Sequence, residues 1–435
     1  MTTTETGRAP GTTTPRPGFG VAARLAAAAA PFVGGDLPVR LRAWDGSEAG
    51  PRDAPLVEVR SPDALRRLLW HPGELGAAQA YVTGEIEVHG DLDRALTHAF
   101  AVGRERGLSG RPGPGAIAAG LRTLGQLGLL GRPPAAPASQ ARVRGRLHSR
   151  QRDRRAIGHH YDLSNEFYAL ILDPAMAYSC AYYGDDPAES VASAQRAKLD
   201  LVCRKLGIGP GSTLLDVGCG WGSLSLHAAE HVGARVTGVT IAAEQKKLID
   251  RRIRERGLED RVEIRLQDYR DVPERDHFDA VGSIEMGEHV GEHNYPAYVE
   301  VLRRSVRPGG RVLVQQMSRT GRHPGGGPFI ESFIAPDMYM RPVGETVALL
   351  ECGGLEVRDV HALREHYVRT VAGWLESFES QLRELTDLVG EEVVRVWRLY
   401  LVGGAMAFRE GRMGVDQILC VRPGADPAMS WQRSW

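Results

Sequence analysis

From about residue 156 onward, short apolar runs recur between helix-like segments: STLLDVG, ARVTGVTI, VEIRLQD, FDAVGSIEM and GRVLVQQM. Apolar strands alternating with helices predict an α/β architecture, a mostly parallel sheet covered on both faces. Such a sheet binds ligands at the carboxyl ends of its strands. The first strand runs into LDVGCGWG, residues 215–222, with glycines at 218, 220 and 222. Glycines of this kind accept positive φ and let a ligand approach the backbone closely.

The spacing is GxGxG rather than the GxGxxG of dinucleotide sites, and no Lys-Ser/Thr pair follows to grip a phosphate. Asp216 stands just before the loop and joins the cofactor-binding candidates. The second strand leads into VTGVTIAAEQ, where Gln245 is the polar group best placed for a ribose. The third ends in LQDYRD, where Asp268 is placed to bond an adenine amino group and Tyr269 to stack on the ring. Three successive strand ends with polar groups suit an adenosine without a pyrophosphate. S-adenosylmethionine (SAM) therefore fits better than NAD.

Lys+Arg and Asp+Glu number 54 each, so net charge names no partner. The cysteines at 180, 203, 219, 352 and 420 show neither a CxxC pair nor metal-type spacing. That pattern suits a reducing cytoplasm rather than a disulfide framework, and no metal site is expected. Cys219 reads as a small packing residue. No charged segment followed by an apolar one opens the chain, so no signal peptide is expected. VAARLAAAAAPFVGG is too short to span a bilayer.

Residues 1–18 read as a disordered tail. Residues 19–105 read as a globular accessory domain, with PVRLRAWDGS and PLVEVRS alternating like strands and SPDALRRLLW opening like a capped helix. Residues 106–155 form a Gly/Pro- and Arg-rich linker with an embedded helix, and 156–435 the catalytic domain. Between 141 and 155 stand seven arginines and one aspartate. That run is either a solvated connector or a patch for anionic lipid headgroups, where each basic residue adds ~1 kcal/mol.

Five stretches in one order carry a resemblance: HYDLSNEFYALILDPAMAYSCAYY, LDVGCGWG, GVTIAAEQ, EMGEHVGEHNY and REHYVRTVAGWLESF. Over residues 156 to 420 the chain resembles the cyclopropane-fatty-acid synthase family of SAM-dependent lipid methyltransferases. GELGAAQAYVTGEIEVHGDLDRAL resembles the accessory domain of the longer, phospholipid-acting members. The resemblance implies a class I SAM-dependent methyltransferase fold, Rossmann-like with a seven-stranded mostly parallel sheet, and a smaller α+β N-terminal domain. It implies cofactor contacts at Tyr178, Ser179, Gly218, Gly220, Ile241, Gln245 and Tyr269.

The substrate so implied is a phospholipid with a cis-unsaturated acyl chain. Its π-bond takes the sulfonium methyl and leaves a carbocation that must be shielded from water. In the family a bicarbonate ion serves as the base, held by a cysteine amide, a glutamate, a histidine and a tyrosine. By motif these positions are Cys180, Glu288, Gln315 and Tyr367. A cytoplasmic enzyme in peripheral contact with the inner face of the plasma membrane, and a homodimer or higher oligomer, are implied as well.

Two departures stand out. Gln315 replaces the family histidine, and a glutamine donates and accepts hydrogen bonds but does not titrate near neutrality. In SIEMGEHVG, Glu285 stands where members have a small residue and Gly287 where they have a phenylalanine. The pocket gains a carboxylate and loses an imidazole and an aromatic wall. QQMSRTGRHPGGGPFIESFIAPDMYMRPVGET and LYLVGGAMAFREGRMGVDQI resemble the actinobacterial branch that makes 10-methylene fatty acids, precursors of 10-methylstearate, with a separate flavin-dependent reductase as partner. The expected product is therefore a 10-methylene chain, with a cyclopropane ring as the alternative. A small-molecule or nucleic-acid methyltransferase is disfavoured by the N-terminal domain and by HYDLSNEFY, and no basic–aromatic groove for nucleic acid is present. A lipid-binding module with a vestigial cofactor loop is the remaining, non-enzymatic reading.

Overall fold

The structure is a computed structural model that describes residues 20–107, 114–128, 131–141, 145, 147–153, 164–320, 325–424 and 429. The expected tail, the HYDL part of the first motif and five of the seven arginines between 141 and 155 lie outside the described residues. The chain divides into two compact units, Met1–Pro137 and Ala138–Trp435. The helix expected inside the linker, Pro114–Gln126, thus belongs to the first unit.

In the first unit, β1 (Arg40–Arg42), β2 (Glu48–Ala49), β3 (Leu56–Val59) and β4 (Ile86–Val88) pair in the order β2-β1-β3-β4. Helices Asp63–Trp70, Glu74–Val82 and Leu92–Glu105 complete an α+β unit. Its core gathers Ala22, Leu25, Leu41, Val59, Ala64 and Ala80. Ser61 Oγ accepts the Asp63 amide at 3.2 Å, which satisfies one of the free donors at that helix start.

The second unit is built on β5 (Thr213–Val217), β6 (Arg235–Thr240), β7 (Val262–Leu266), β8 (Phe278–Ile284), β9 (Val306–Arg319), β10 (Glu356–Ala362) and β11 (Met413–Val421). They form one sheet in the order β10-β11-β9-β8-β5-β6-β7. Pairing is parallel from β9 through β7, and β11 runs antiparallel between β9 and β10. Leu214 and Leu215, adjacent on β5, enter separate core clusters. Helix Val191–Leu206 covers one side and helix Tyr295–Ser305 the other, as near-continuous apolar strands require.

The chain leaves β5 toward β6 and β7 on one side and returns to β8 and β9 on the other. That reversal opens a crevice beyond the strand ends, where doubly wound sheets bind ligands. No described helix is long and apolar enough to cross a membrane.

Candidate active site

The loop after β5 turns on Gly218, Gly220 and Gly222, with φ of 78°, 55° and 80°. An L side chain is strained in that left-handed region. At Gly218 space forbids one as well, since an added Cβ would lie 2.6 Å from Met286 Cγ. Beside this loop a cavity is lined by Gly218, Gly220, Thr240, Ile241, Gln245, Asp268, Tyr269, Arg270, Glu285, Met286 and His289, among others. Four consecutive strand ends, those of β5, β6, β7 and β8, thus meet at one opening.

Each end is fixed locally. Thr240 Oγ1 donates to Gln245 Oε1 at 3.2 Å, which leaves the Gln245 amide hydrogens for a ligand. Asp268 accepts Arg270 Nε at 2.8 Å, Arg270 Nη2 at 2.7 Å and the Arg270 amide at 3.0 Å. Burial pushes the Asp268 carboxyl up, but these bonds and the charge of Arg270 outweigh it and hold it below the usual range. The carboxylate expected to meet adenine is therefore engaged by its own neighbour, with the guanidinium carbon 5.4 Å from the Tyr269 ring centre. Asp216 departs further from expectation. Its Oδ2 accepts Ser225 Oγ at 2.7 Å, tying the glycine loop to the helix that follows. It does not line the cavity. Burial pushes its carboxyl up to about 6.

At the far side of the cavity stands Glu285, in left-handed backbone at φ 50°. Its Oε1 accepts the Cys180 amide at 2.8 Å and Gln315 Nε2 at 2.8 Å, and its Oε2 accepts the Tyr367 hydroxyl at 2.6 Å. The Gln315 carbonyl oxygen accepts Gln417 Nε2 at 2.9 Å. Burial raises the Glu285 carboxyl above its ordinary value, while the three donors and the Lys198 ammonium pull it back down. Three of the four groups expected around a bicarbonate ion thus converge on a carboxylate of the chain itself.

Glu288, the fourth, is fully buried, and no side chain hydrogen-bonds its carboxyl oxygens; the backbone amides of Glu288 and Met317 and the charge of Arg341 offer only weak support. Burial first, and then the charge of Glu285, pushes it well above its ordinary value. The pair is asymmetric: Glu285 has the donors that an anion needs, and burial and the neighbouring charge push Glu288 toward its neutral form.

Cys180 takes part through its amide. Its thiol contacts the carbonyls of Ala181 and Leu363 and is raised well above the ordinary range by burial. Tyr178 shares a 3.0 Å hydroxyl contact with Tyr400 and lies among the rings of Tyr168, Trp221, Trp374 and Trp397. Ser179 accepts Lys198 Nζ at 2.7 Å.

Gly287 leaves no gap where a phenylalanine wall is lost. An added Cβ there would lie 2.0 Å from Gln316 Oε1, which itself accepts the Tyr295 hydroxyl at 2.7 Å. Residues not singled out from sequence but present at the site are Arg270, Met286, His289, Lys198, Tyr400 and Gln417. Arg270 had a local signal, a cation two residues beyond a strand-end acid. Met286 and His289 are the chain neighbours of Glu285 and Glu288, and Lys198, Tyr400 and Gln417 are brought in by tertiary pairing.

Comparison with known proteins gives the family. Residues 148–418 match the family model described as mycolic acid cyclopropane synthetase. A probable fatty acid methyltransferase of Pseudomonas putida is 37% identical over 405 residues, covering 90% of this chain and 93% of that one. Tuberculostearic acid methyltransferase UfaA1 of Mycobacterium tuberculosis is 34% identical over 404 residues, 89% of this chain and 88% of that one. Among solved structures, mycolic acid cyclopropane synthase CmaA1 complexed with SAH and CTAB aligns with a TM-score of 0.58 at 30% identity, covering 62% of this chain and 98% of that one.

Proposed function

The chain belongs to the mycolic acid cyclopropane synthetase family and has its class I SAM-dependent methyltransferase fold; from that premise we propose that it methylates the cis double bond of an unsaturated acyl chain on a phospholipid, giving a 10-methylene branch. The observation that carries this reading is the convergence of Cys180 N–H, Gln315 Nε2 and Tyr367 hydroxyl on Glu285.

SAM fits the cavity: glycine turns, a free Gln245 amide and an aromatic side chain stand at successive strand ends. It supplies an electrophilic methyl on a sulfonium. Gly218, Gly220, Ile241, Gln245 and Tyr269 would hold it. Bicarbonate does not fit in the same way, because the donors that would bind it are directed at Glu285. The base is then the chain's own carboxylate.

The acyl π-pair bonds to the methyl carbon as the carbon–sulfur bond breaks, leaving S-adenosylhomocysteine and a carbocation on the chain. A 1,2-hydride shift brings the charge to the methyl-bearing carbon, and proton loss from the methyl closes the exocyclic double bond. Glu285 takes that proton. Its Oε2 accepts one hydrogen bond and Oε1 two, so Oε2 is the freer oxygen. A carboxylate raised by burial is the stronger base. The rings around Tyr178 exclude water, and aromatic faces stabilise a cation passing near them.

Peripheral contact with a membrane follows from a phospholipid substrate, and a flavin-dependent reductase acting on the methylene product fits the same chemistry. The deciding experiment supplies purified protein with SAM and a dioleoyl phospholipid, then identifies the C19 product by mass spectrometry and NMR. A methylene-branched chain is expected. A cyclopropane ring, from direct loss of the methyl proton with ring closure, would overturn the reading.

A further inference from the structure

Gln315 and Gln417 face each other across the antiparallel ladder of β9 and β11, and both side chains are fully buried. Their amides form a chain with a direction. Gln417 Nε2 donates to Gln315 Oε1 at 2.9 Å, and Gln315 Nε2 donates to Glu285 Oε1 at 2.8 Å. Reversing it would bring Gln315 Oε1 against Glu285 Oε1 and near the carbonyl of Cys180, which lies 3.5 Å from Gln315 Nε2. Two acceptor–acceptor contacts would result. The present direction leaves Gln417 Oε1 buried without a partner. A buried amide oxygen left bare is unfavourable, so this end of the chain is held for what it does at the other.

We propose that Gln417 is a positioning residue: it fixes the Gln315 amide with its hydrogens toward Glu285, and so keeps that carboxylate ionised and ready to take a proton. This inference rests on the reading of Glu285 as the base. A glutamine free to turn donates to a neighbouring carboxylate for only part of the time. Locked from behind, Gln315 becomes a constant donor, a task that needs no titrating imidazole.

The groups facing Glu285 from the surrounding elements are Tyr367 on helix Arg364–Ser380, Tyr400 on helix Glu391–Arg409, Cys180, Lys198 on helix Val191–Leu206, and Glu288 on the segment after β8. Burial pushes the two phenols and the thiol up, and pushes the Lys198 ammonium down. Glu285 and Glu288 interact through their charges, so the acid limb of the rate profile belongs to the pair, and the variants are compared by how far they displace it.

The test is the pH dependence of methyl transfer to dioleoyl phospholipid vesicles by Gln417→Leu, Gln417→Met and Gln315→Met. A weakened donor leaves the anion less stable, so the acid limb moves to higher pH. A shift of about half to one unit is expected in each single variant, with no further shift in Gln315→Met combined with Gln417→Leu, because the two act as one unit. A role confined to packing would lower activity or melting temperature without moving the limb. An unmoved limb in both Gln417 variants, with Gln315→Met shifted, would overturn the proposal while sparing the base. Failure of the base itself reads differently: Glu285→Gln would retain the parent rate. Gln417→Met, close in volume to the glutamine, serves where Gln417→Leu does not fold.

Discussion

Tyr367 and Glu285 lie 82 positions apart in sequence and meet in a 2.6 Å hydrogen bond from phenol to carboxylate. Burial raises the phenol well above its usual range, so it stays a donor at any working pH. Tyr367→Phe removes a donor to a charged group, an interaction of about 1.5–3 kcal/mol. The ionised form loses support, so the Glu285 pKa rises and the acid limb of the pH–rate profile moves up by about one to two units. A profile that superimposes on the parent would dissociate Tyr367 from the base.

Glu285→Gly is expected to separate stability from activity. Backbone at φ 50° is unfavourable for an L side chain by about 1–2 kcal/mol, and glycine relieves it. Melting temperature should hold or rise while methyl transfer falls on the order of 10²–10⁴-fold. Added bicarbonate should restore part of the rate, because the Cys180, Gln315 and Tyr367 donors are then free for an anion. Parent-level turnover in degassed, bicarbonate-free buffer would refute the assignment. Adding Gln315→His tests whether the same two positions move the product toward cyclopropane.

Gly218→Ala places a Cβ 2.6 Å from Met286 Cγ at φ 78°. Both effects act on the loop that lines the cavity. S-adenosylhomocysteine affinity should drop more than tenfold by calorimetry, with circular dichroism unchanged. Full affinity would mean that the loop does not approach the cofactor.

His289 carries a pH signature of known sign. Burial lowers its pKa to about 4 from 6.5. Above pH 6.5 neither the folded nor the unfolded state binds the proton; between 6.5 and 4 only the unfolded state does. Stability is thus lost as pH falls through that window, by about 2 kcal/mol once the partial exposure of His289 is allowed for. Denaturant melts of parent and His289→Gln should converge near pH 4 relative to their difference at pH 7. Parallel curves would contradict this.

Thiol reactivity should single out Cys352, the exposed cysteine, ahead of the four buried ones. Burial lifts the Cys203 and Cys420 thiols to about 12 and those of Cys180 and Cys219 well above the ordinary range. Peptide mapping after brief alkylation reads this directly. Early labelling of Cys180 would show that its pocket opens.

What the chain discloses locally and what it does not divide along physical lines. The glycine turn, Gln245 and Tyr269 are legible because strand-to-helix transitions carry their own pattern. An acid at a strand end has two uses that sequence does not separate: Asp268 lines the cavity while engaged by Arg270, and Asp216 ties down the glycine loop. Glu285 was visible as an anomaly, yet its meaning lay in Cys180, Gln315 and Tyr367, each on a different element. Gln417 had no local signal. Its place opposite Gln315 follows from the β9–β11 register, and β11 runs against the parallel strands that the helix–strand alternation announces.

The left-handed backbone at Glu285 ties the proposed base to the chain. A diffusible base obeys mass action: it must be present, must bind and can leave. A carboxylate attached through its own peptide has no dissociation constant. On the proposed reading, the proton-accepting step is indifferent to how much dissolved inorganic carbon surrounds the enzyme, and a small, fixed conformational strain replaces a concentration.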